Sequence, residues 1–283
     1  VRFGEKDNFG GPAGSSGPCG PCSEIHYDFG TDVGCREPTC ALGCRCGRFS
    51  EIWNLVFTQF NQDTEGKRTP LPRPNIDTGM GLERITCVMQ GKLSVYETDI
   101  FAPLIDAVAQ ISGKKDGIDA ATDVTMRTIA EHGRGIPFLI GDGVMPSNEG
   151  RGYVLRRLLR RAMLFGRRLN PDKSFVQEVA KLTIERMGRT YPELTSRGKF
   201  ILEVIADEET RFRRTLDTGL TMLDGIMEMM KIHGDKEIPG VDLFRLYDTY
   251  GFPVEMTQEI AATRGYGVDL KGFEMEMAKQ RER

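Results

Sequence analysis

No run of about 18 apolar residues occurs in the chain, so no stretch is long and apolar enough to span a membrane as a helix. Net charge is also nearly absent, at −3 from 38 basic and 41 acidic residues, and that balance alone does not point to a nucleic-acid partner. Histidine is scarce, with three, and there is a single tryptophan. There is no internal repeat and no low-complexity tract, which excludes solenoids and biased disordered tails. The chain opens at Val1 with no initiator methionine and no charged-then-apolar leader, so it reads as the interior of a longer protein.

Glycine and cysteine are plentiful, and both are unevenly spread. Glycine makes up 33 of 283 residues against a usual level of about 7%. Ten of these lie in the first 50 residues, without the G-X-Y period of collagen. Six of the seven cysteines fall between Cys19 and Cys46. An odd count in a chain of this length argues against a secreted disulfide scaffold and for a reducing compartment, with thiols free or bound to metal. The length suggests about two domains.

Residues 1–50, rich in Gly, Pro and Cys, read as loops held by something other than a hydrophobic core. "EIWNLVFTQFNQ" from Glu51 is β-branched and aromatic, as a strand requires, with Asn54 and Val56 on one face. "GKRTPLPRP" reads as a loop, because its prolines suit neither a helix nor a central strand. A short strand is then expected to end at Asp77, followed by a helix from Gly81 to Gln90. Beyond Lys92 the pattern is helical. One helix stops at Gly113, one starts with Asn170 as N-cap and Pro171 at its first position, and a long one runs from Pro192 to His233. Its Met-rich end (Met222, Met227, Met229, Met230) reads as core packing. Two further helices break at Gly251-Phe252-Pro253, and the closing "EMAKQRER" reads as a solvated helix end.

Three features carry chemistry. In "IDTGMGLERI" a carboxylate ends a strand, Gly79 and Gly81 allow close backbone approach, and Arg84 lies in a first helical turn. The helix dipole does not favour a cation there, so an anionic ligand explains Arg84 better than the dipole does. A tight turn with Glu83 and Arg84 merely on the surface is the plainer alternative. Cys35, Cys40, Cys44 and Cys46 read C-x4-C-x3-C-x-C and could close a tetrahedral zinc site, which a segment with so few apolar residues would need. Cys19 and Cys22 form a CxxC with no helix after it, read as loop structure, and Cys87 reads as a core thiol. Finally, "NEGRGYVLRRLLRRAMLFGRR" places Leu155, Leu158, Leu159, Ala162, Met163 and Phe165 on one side. Arg156, Arg157, Arg160, Arg161, Arg167 and Arg168 fall on the other. That face suits phosphate, or else pairs with acids elsewhere, such as Glu203, Asp207, Glu208 and Glu209. Asn148 is a good N-cap for this helix. The three histidines read as structural.

"GPCGPCSEIHYD" (17–28), "EIWNLVFTQFN" (51–61), "DTGMGLER" (77–84), "IGDGVMPSNEGRGYVLRRLLRRA" (140–162) and "LYDTYGFP" (246–253) together resemble the alanyl-tRNA synthetases, of the class II aminoacyl-tRNA synthetases. The resemblance implies an α+β fold. Residues 1–90 would be the C-terminal half of a class II antiparallel-sheet catalytic domain, with a Cys-rich insertion at about 29–48. Residues 91–283 would be an all-helical tRNA-recognition domain. It implies a cytoplasmic ligase that activates alanine with ATP and Mg2+ to alanyl-adenylate, then transfers alanine to the 3′ end of tRNA-Ala. By resemblance, "DTGMGLER" is motif 3, with Arg84 on the γ-phosphate and adenosine against Gly79 and Gly81. Asp77 would bind the ammonium of alanine, Val56 would pack near its methyl group, and Glu51 and Asn54 would help hold magnesium. Glu51 and Asn54 fall on opposite faces of a regular strand, so that role requires a bulge or strand end. Asn148 and Asp248 match the positions that read the G·U pair of the acceptor stem, beside Arg156, Arg157, Arg160 and Arg161. Motifs 1 and 2 are not in these residues, so catalysis by the piece alone is not expected. The family usually reads "DNFW" where this chain has Asp7-Asn8-Phe9-Gly10, and that tryptophan helps wall the alanine pocket. Two other classes fit fewer features: a zinc-containing RNA-binding module without catalysis, and an adenylate former that acts without tRNA.

Overall fold

The computed structural model describes residues 1–281, and the end of "EMAKQRER" lies outside them. The chain divides into two compact units, Val1–Ala102 and the part from Pro103 onward.

The first unit is built on a four-stranded antiparallel sheet in the order β1-β2-β3-β4. Its strands are β1 (Phe9–Gly10), β2 (Gly17–Asp28), β3 (Phe49–Gln62) and β4 (Arg68–Met80). β3 is as expected from its composition. β2 is not: the 12-residue strand runs through the segment read as loop and includes both Cys19 and Cys22. The pairing is tertiary, since β2 lies between β1 and β3, and an irregularity between Cys19 and Cys22 absorbs the proline there. A Cβ on Gly20 would collide with the carbonyl oxygen of Phe57, so only glycine lets these two strands close up. Cys19 is fully buried beneath them.

β4 is a second correction. The proline-rich stretch is strand, not loop, and it continues past Asp77 to Met80. β4 is the edge of this sheet, where proline is tolerated because an outward-facing N–H has no partner to lose. Gly81 then caps α1 (Leu82–Met89), within one residue of the expected bounds. Cys87 is buried in it, as expected, and donates to the Lys92 carbonyl.

The second unit is helical: α2 (Ala102–Ser112), α3 (Ala120–Gly141), α4 (Gly150–Leu169), α5 (Val176–Met187), α6 (Pro192–Ser196), α7 (Gly198–His233), α8 (Gly240–Tyr250), α9 (Val254–Thr263) and α10 (Leu270–Arg281). Gly113 ends α2 with a left-handed φ of 72°, as the pattern predicts. Asn170 does not start a helix. It ends α4, and its side chain accepts from Asp172 N in a turn, so α5 begins only at Val176. The expected long helix is split at Arg197 into α6 and α7. The unit is not purely helical either, because β5 (Glu237–Ile238) and β6 (Gly267–Val268) form a short parallel pair.

α7 has 36 residues and serves two cores. Its first half packs Ile201, Val204 and Ile205 against Ile136 and Ile140 of α3 and Leu155 and Leu159 of α4. Its second half packs Leu216, Leu223, Met227 and Met230 against Phe252, Met256 and Ile260. Met227 and Met230 are buried and Met222 packs beside them, but Met229 is exposed. Phe252, at the expected break between α8 and α9, is fully buried, with its ring edge-on to Phe212 at 5.9 Å.

Candidate active site and nucleic-acid cleft

The register of the sheet decides which side chains share a face. Ile25 pairs with Trp53 and His26 with Glu51, so Ile52 is an extra residue in β3. This is the bulge that Glu51 and Asn54 require: with one residue bulged, both side chains leave on the same face. Asn54 pairs with Glu24 and Gly79, and Val56 with Cys22 and Asp77. One face therefore carries Glu24, His26, Glu51, Asn54, Val56 and Asp77, with Gly79 between them.

The contacts agree with this face. Asn54 Nδ2 donates to Glu24 Oε1 at 3.2 Å, and His26 Nε2 lies 2.9 Å from Glu24 Oε2. Arg84 donates from Nη1 to the Glu51 carbonyl at 2.9 Å and lies 3.4 Å from Glu51 Oε2. The bulged Ile52 accepts from Gly81 N at 3.2 Å, tying the start of α1 to β3. Arg84 remains about half exposed, with room for an anion. Asn54 Oδ1 is buried without a hydrogen-bond partner among the described residues. An orphaned amide oxygen and the Glu51 carboxylate on the same sheet face are oxygen donors of the kind that magnesium takes. Burial, then Glu24 and Glu51, push the Cys22 thiol up. Glu24 was not singled out in the sequence. It stands in the "GPCGPCSE" block, and only the register shows that it faces Asn54.

Gly10 is the position at which the resemblance implies a tryptophan. It pairs with Gly20, and a Cβ on it would lie 2.6 and 2.7 Å from the Val56 methyl carbons. Here the backbone of β1 closes directly on Val56.

The insertion, residues 29–48, is the loop joining β2 to β3, and none of its residues is buried. Its base is clamped by Arg48, which donates to both Asp28 carboxylate oxygens at 2.7 Å. That guanidinium, with Gly30 N, holds Asp28 down at about 2. At the tip, the Cys35, Cys40, Cys44 and Cys46 sulfurs lie within 4.8 Å of one another. Cys40 and Cys46 are 3.6 Å apart, and Cys35 and Cys44 3.9 Å. A tetrahedron with zinc–sulfur bonds of about 2.3 Å has edges of about 3.8 Å, so this donor set fits zinc. The N–H groups of Arg48 and Cys35 pull Cys46 down to about 6, while partial loss of solvent and the neighbouring Cys46 push Cys40 up to about 12.

In the second unit the arginine face is not open. Arg160 donates to Glu208 at 2.7 Å, and Arg156 lies 3.3 Å from the same carboxylate, which is buried. Arg157 pairs with Glu255 at 2.8 Å, Arg161 with Glu259 at 2.8 Å, and Arg167 with Asp217 at 2.5 Å. Internal pairing, one of the two readings the sequence left open, accounts for these five side chains. Only Glu208 comes from the acidic stretch the sequence suggested; Glu255 and Glu259 come from α9. Nor is Asn148 the N-cap of α4: that position is Glu149, and Asn148 instead accepts from Arg156.

Asn148 and Asp248, a hundred residues apart in sequence, line one cleft of about 360 Å³. Arg156, Arg160, Arg211 and Tyr247 share its wall. Both short polar side chains are exposed, and Asp248 accepts from Gln280 Nε2 at 2.7 Å. Arg211 was not picked out in the sequence, because it lies on α7, far from the basic run.

The sequence model of the family described as tRNA synthetases class II (A) matches residues 1–283. An alanine–tRNA ligase of Dehalococcoides mccartyi is 62% identical over 281 residues, 99% of this chain and 32% of that protein. One from Carboxydothermus hydrogenoformans is 54% identical over 94% of the chain and 30% of its own length, and one from Desulfosudis oleivorans 50% over 99% and 32%. The chain spans about a third of the length of these relatives. With its antiparallel sheet and the helices that follow, the chain belongs to the class II tRNA synthetases.

Proposed function

We propose that the first unit carries one wall of the site in which alanine and ATP form alanyl-adenylate, and the second a surface for the acceptor stem of tRNA-Ala. The observation behind the first part is the sheet face that collects Glu51, Asn54, Val56, Asp77 and Arg84 around the Ile52 bulge. Arg84 takes the γ-phosphate, and Gly79 and Gly81 lie against adenosine. Asp77 binds the ammonium of alanine beside Val56. Glu51 and Asn54 hold magnesium, which neutralises phosphate charge. Adenylate formation is largely positioning and electrostatics, so fixed charges on a rigid sheet are the contribution this chain's residues can make. The four-cysteine group takes zinc, and an odd cysteine count with four thiols gathered in one cluster supports a reducing, cytoplasmic setting.

For the stem, Asn148 and Asp248 in one cleft supply short polar groups of the kind that reach the shallow minor groove of A-form RNA. Arg156 and Arg160 line that cleft while paired to Glu208, and Arg157 and Arg161 lie on the same helix. They therefore position the surface more than they supply free charge.

Calorimetric titration of the chain with Mg·ATP tests the first reading. Binding is expected in the absence of other protein segments, weakened about tenfold or more by Arg84→Ala. Pyrophosphate exchange with alanine should be absent, because the arginine implied for the α-phosphate is not among these residues. Unchanged ATP affinity in the Arg84 variant would remove the assignment, and robust exchange would show that the chain holds the whole site.

A further inference from the structure

The zinc group and the sheet face belong to one hairpin. The insertion closes where Phe29 N meets the Arg48 carbonyl at 3.0 Å, and the next pairs are Asp28 with Phe49, Tyr27 with Ser50 and His26 with Glu51. The bulge at Ile52 follows immediately. Little apolar contact holds residues 29–48: none is buried, no helix or strand forms within them, and the ring of Phe29 meets Tyr27 edge-on at 5.1 Å while Leu42 is half-buried. A long loop held internally by isolated turns alone would fray and carry the end of its hairpin with it. Opposing that are the bidentate Arg48–Asp28 pair, which secures the base of the loop, and the four sulfurs, which alone gather its far end. The loop is shaped around those sulfurs. Gly34 has a left-handed φ of 84°, and a Cβ on it would lie 2.5 Å from Cys46 Sγ.

We propose that one zinc ion on Cys35, Cys40, Cys44 and Cys46 is the positioning element for the Ile52 bulge, and so for Glu51 and Arg84 against ATP. This rests on the reading of the sheet face as the ATP site. The link is physical at each step. The metal closes the loop, and the closed loop holds the His26–Glu51 register. That register fixes the Glu51 carbonyl and carboxylate that hold Arg84 and the Ile52 carbonyl that holds Gly81. Released from the metal, β3 can shift its bulge, and a slip of one residue turns Glu51 to the opposite face.

The sole tryptophan of the chain, Trp53, adjoins the bulge and donates to Thr78 Oγ1 at 2.5 Å, so its emission reports this register. The purified chain is assayed for zinc, stripped with a chelator under reducing conditions, and reloaded. About one zinc per chain is expected. Its removal should shift Trp53 emission and weaken Mg·ATP binding about tenfold, with zinc, but not added magnesium, restoring both. Cys44→His should keep metal, emission and affinity, because histidine is also a zinc ligand, whereas Cys44→Ser should lose all three. A chain that holds zinc but shows the same emission and ATP affinity without it would overturn the coupling and leave the metal site standing. A chain without zinc, its four thiols titrating freely, would overturn both. If ATP binds in neither state, the reading of the sheet face fails, and Trp53 emission decides the coupling to the hairpin by itself.

Discussion

At the scale of single residues, His132 illustrates how burial dictates protonation. It sits in α3, and Arg161 Nη1 lies 3.0 Å from its Nε2. A guanidinium only donates, so this nitrogen must accept and the ring must be neutral. Burial, reinforced by Arg161, brings its pKa down to about 4. The sign follows: from about pH 6.5 down to 4 the unfolded chain takes up a proton that the folded chain refuses, so stability falls across that window. Denaturant unfolding at pH 7 and pH 5 should differ by about 2 kcal/mol from this group, and His132→Gln should remove most of the difference. The sequence showed His132 only as a structural histidine. Its partner Arg161 is far off in the chain and belongs to another helix, so nothing local could set the direction of the shift.

At the scale of elements, α4 was legible as an amphipathic helix, but the fate of its arginines was not. Leu155, Leu159 and Ala162 are buried as the 3.6-residue period requires. The opposite side meets Glu208 of α7 and Glu255 and Glu259 of α9, and periodicity carries no information about which helices approach. Glu208→Ala would strand Arg156 and Arg160 largely buried, and a loss of about 3–5 kcal/mol is expected in thermal or urea unfolding. Replacing Arg157, whose partner Glu255 is more exposed, should cost much less. The same limit explains β2 and β4. Glycine and proline argue locally against a strand, and the partner that overrides them, β3, is supplied by the fold.

At the scale of the whole molecule, the arrangement of charge matters more than its sum. The +6 of the basic run between Ser147 and Asn170 (seven arginines, one acid) is largely neutralised by internal partners. Acceptor-stem binding should therefore depend on salt only modestly, with a log–log slope of about −2 to −3 rather than the −5 of an open basic face. Exposed Arg151 and Arg168 of the run, with Arg211 on the cleft wall, are among the cations that remain to supply it. Replacing the stem's G·U by G·C should weaken binding, and Asp248→Ala should erase that difference. Filter binding across a salt series measures all three, and equal affinity for both stems would discard the recognition assignment.

The sequence by itself determined the class of the protein, the strand β3, the turn and helix around Gly81, the break at Gly251–Pro253 and the four thiols. These depend on side-chain type and short spacing, which are local properties. The tertiary structure alone decided the rest. It paired glycine- and proline-rich segments into strands and set the bulge that brings Glu51 and Asn54 to one face beside Glu24. It also turned the arginines inward to acids from two other helices, and brought Asn148 and Asp248 to one cleft. Each of these depends on which distant backbone or charge comes to lie alongside, and that is a property of the packed chain.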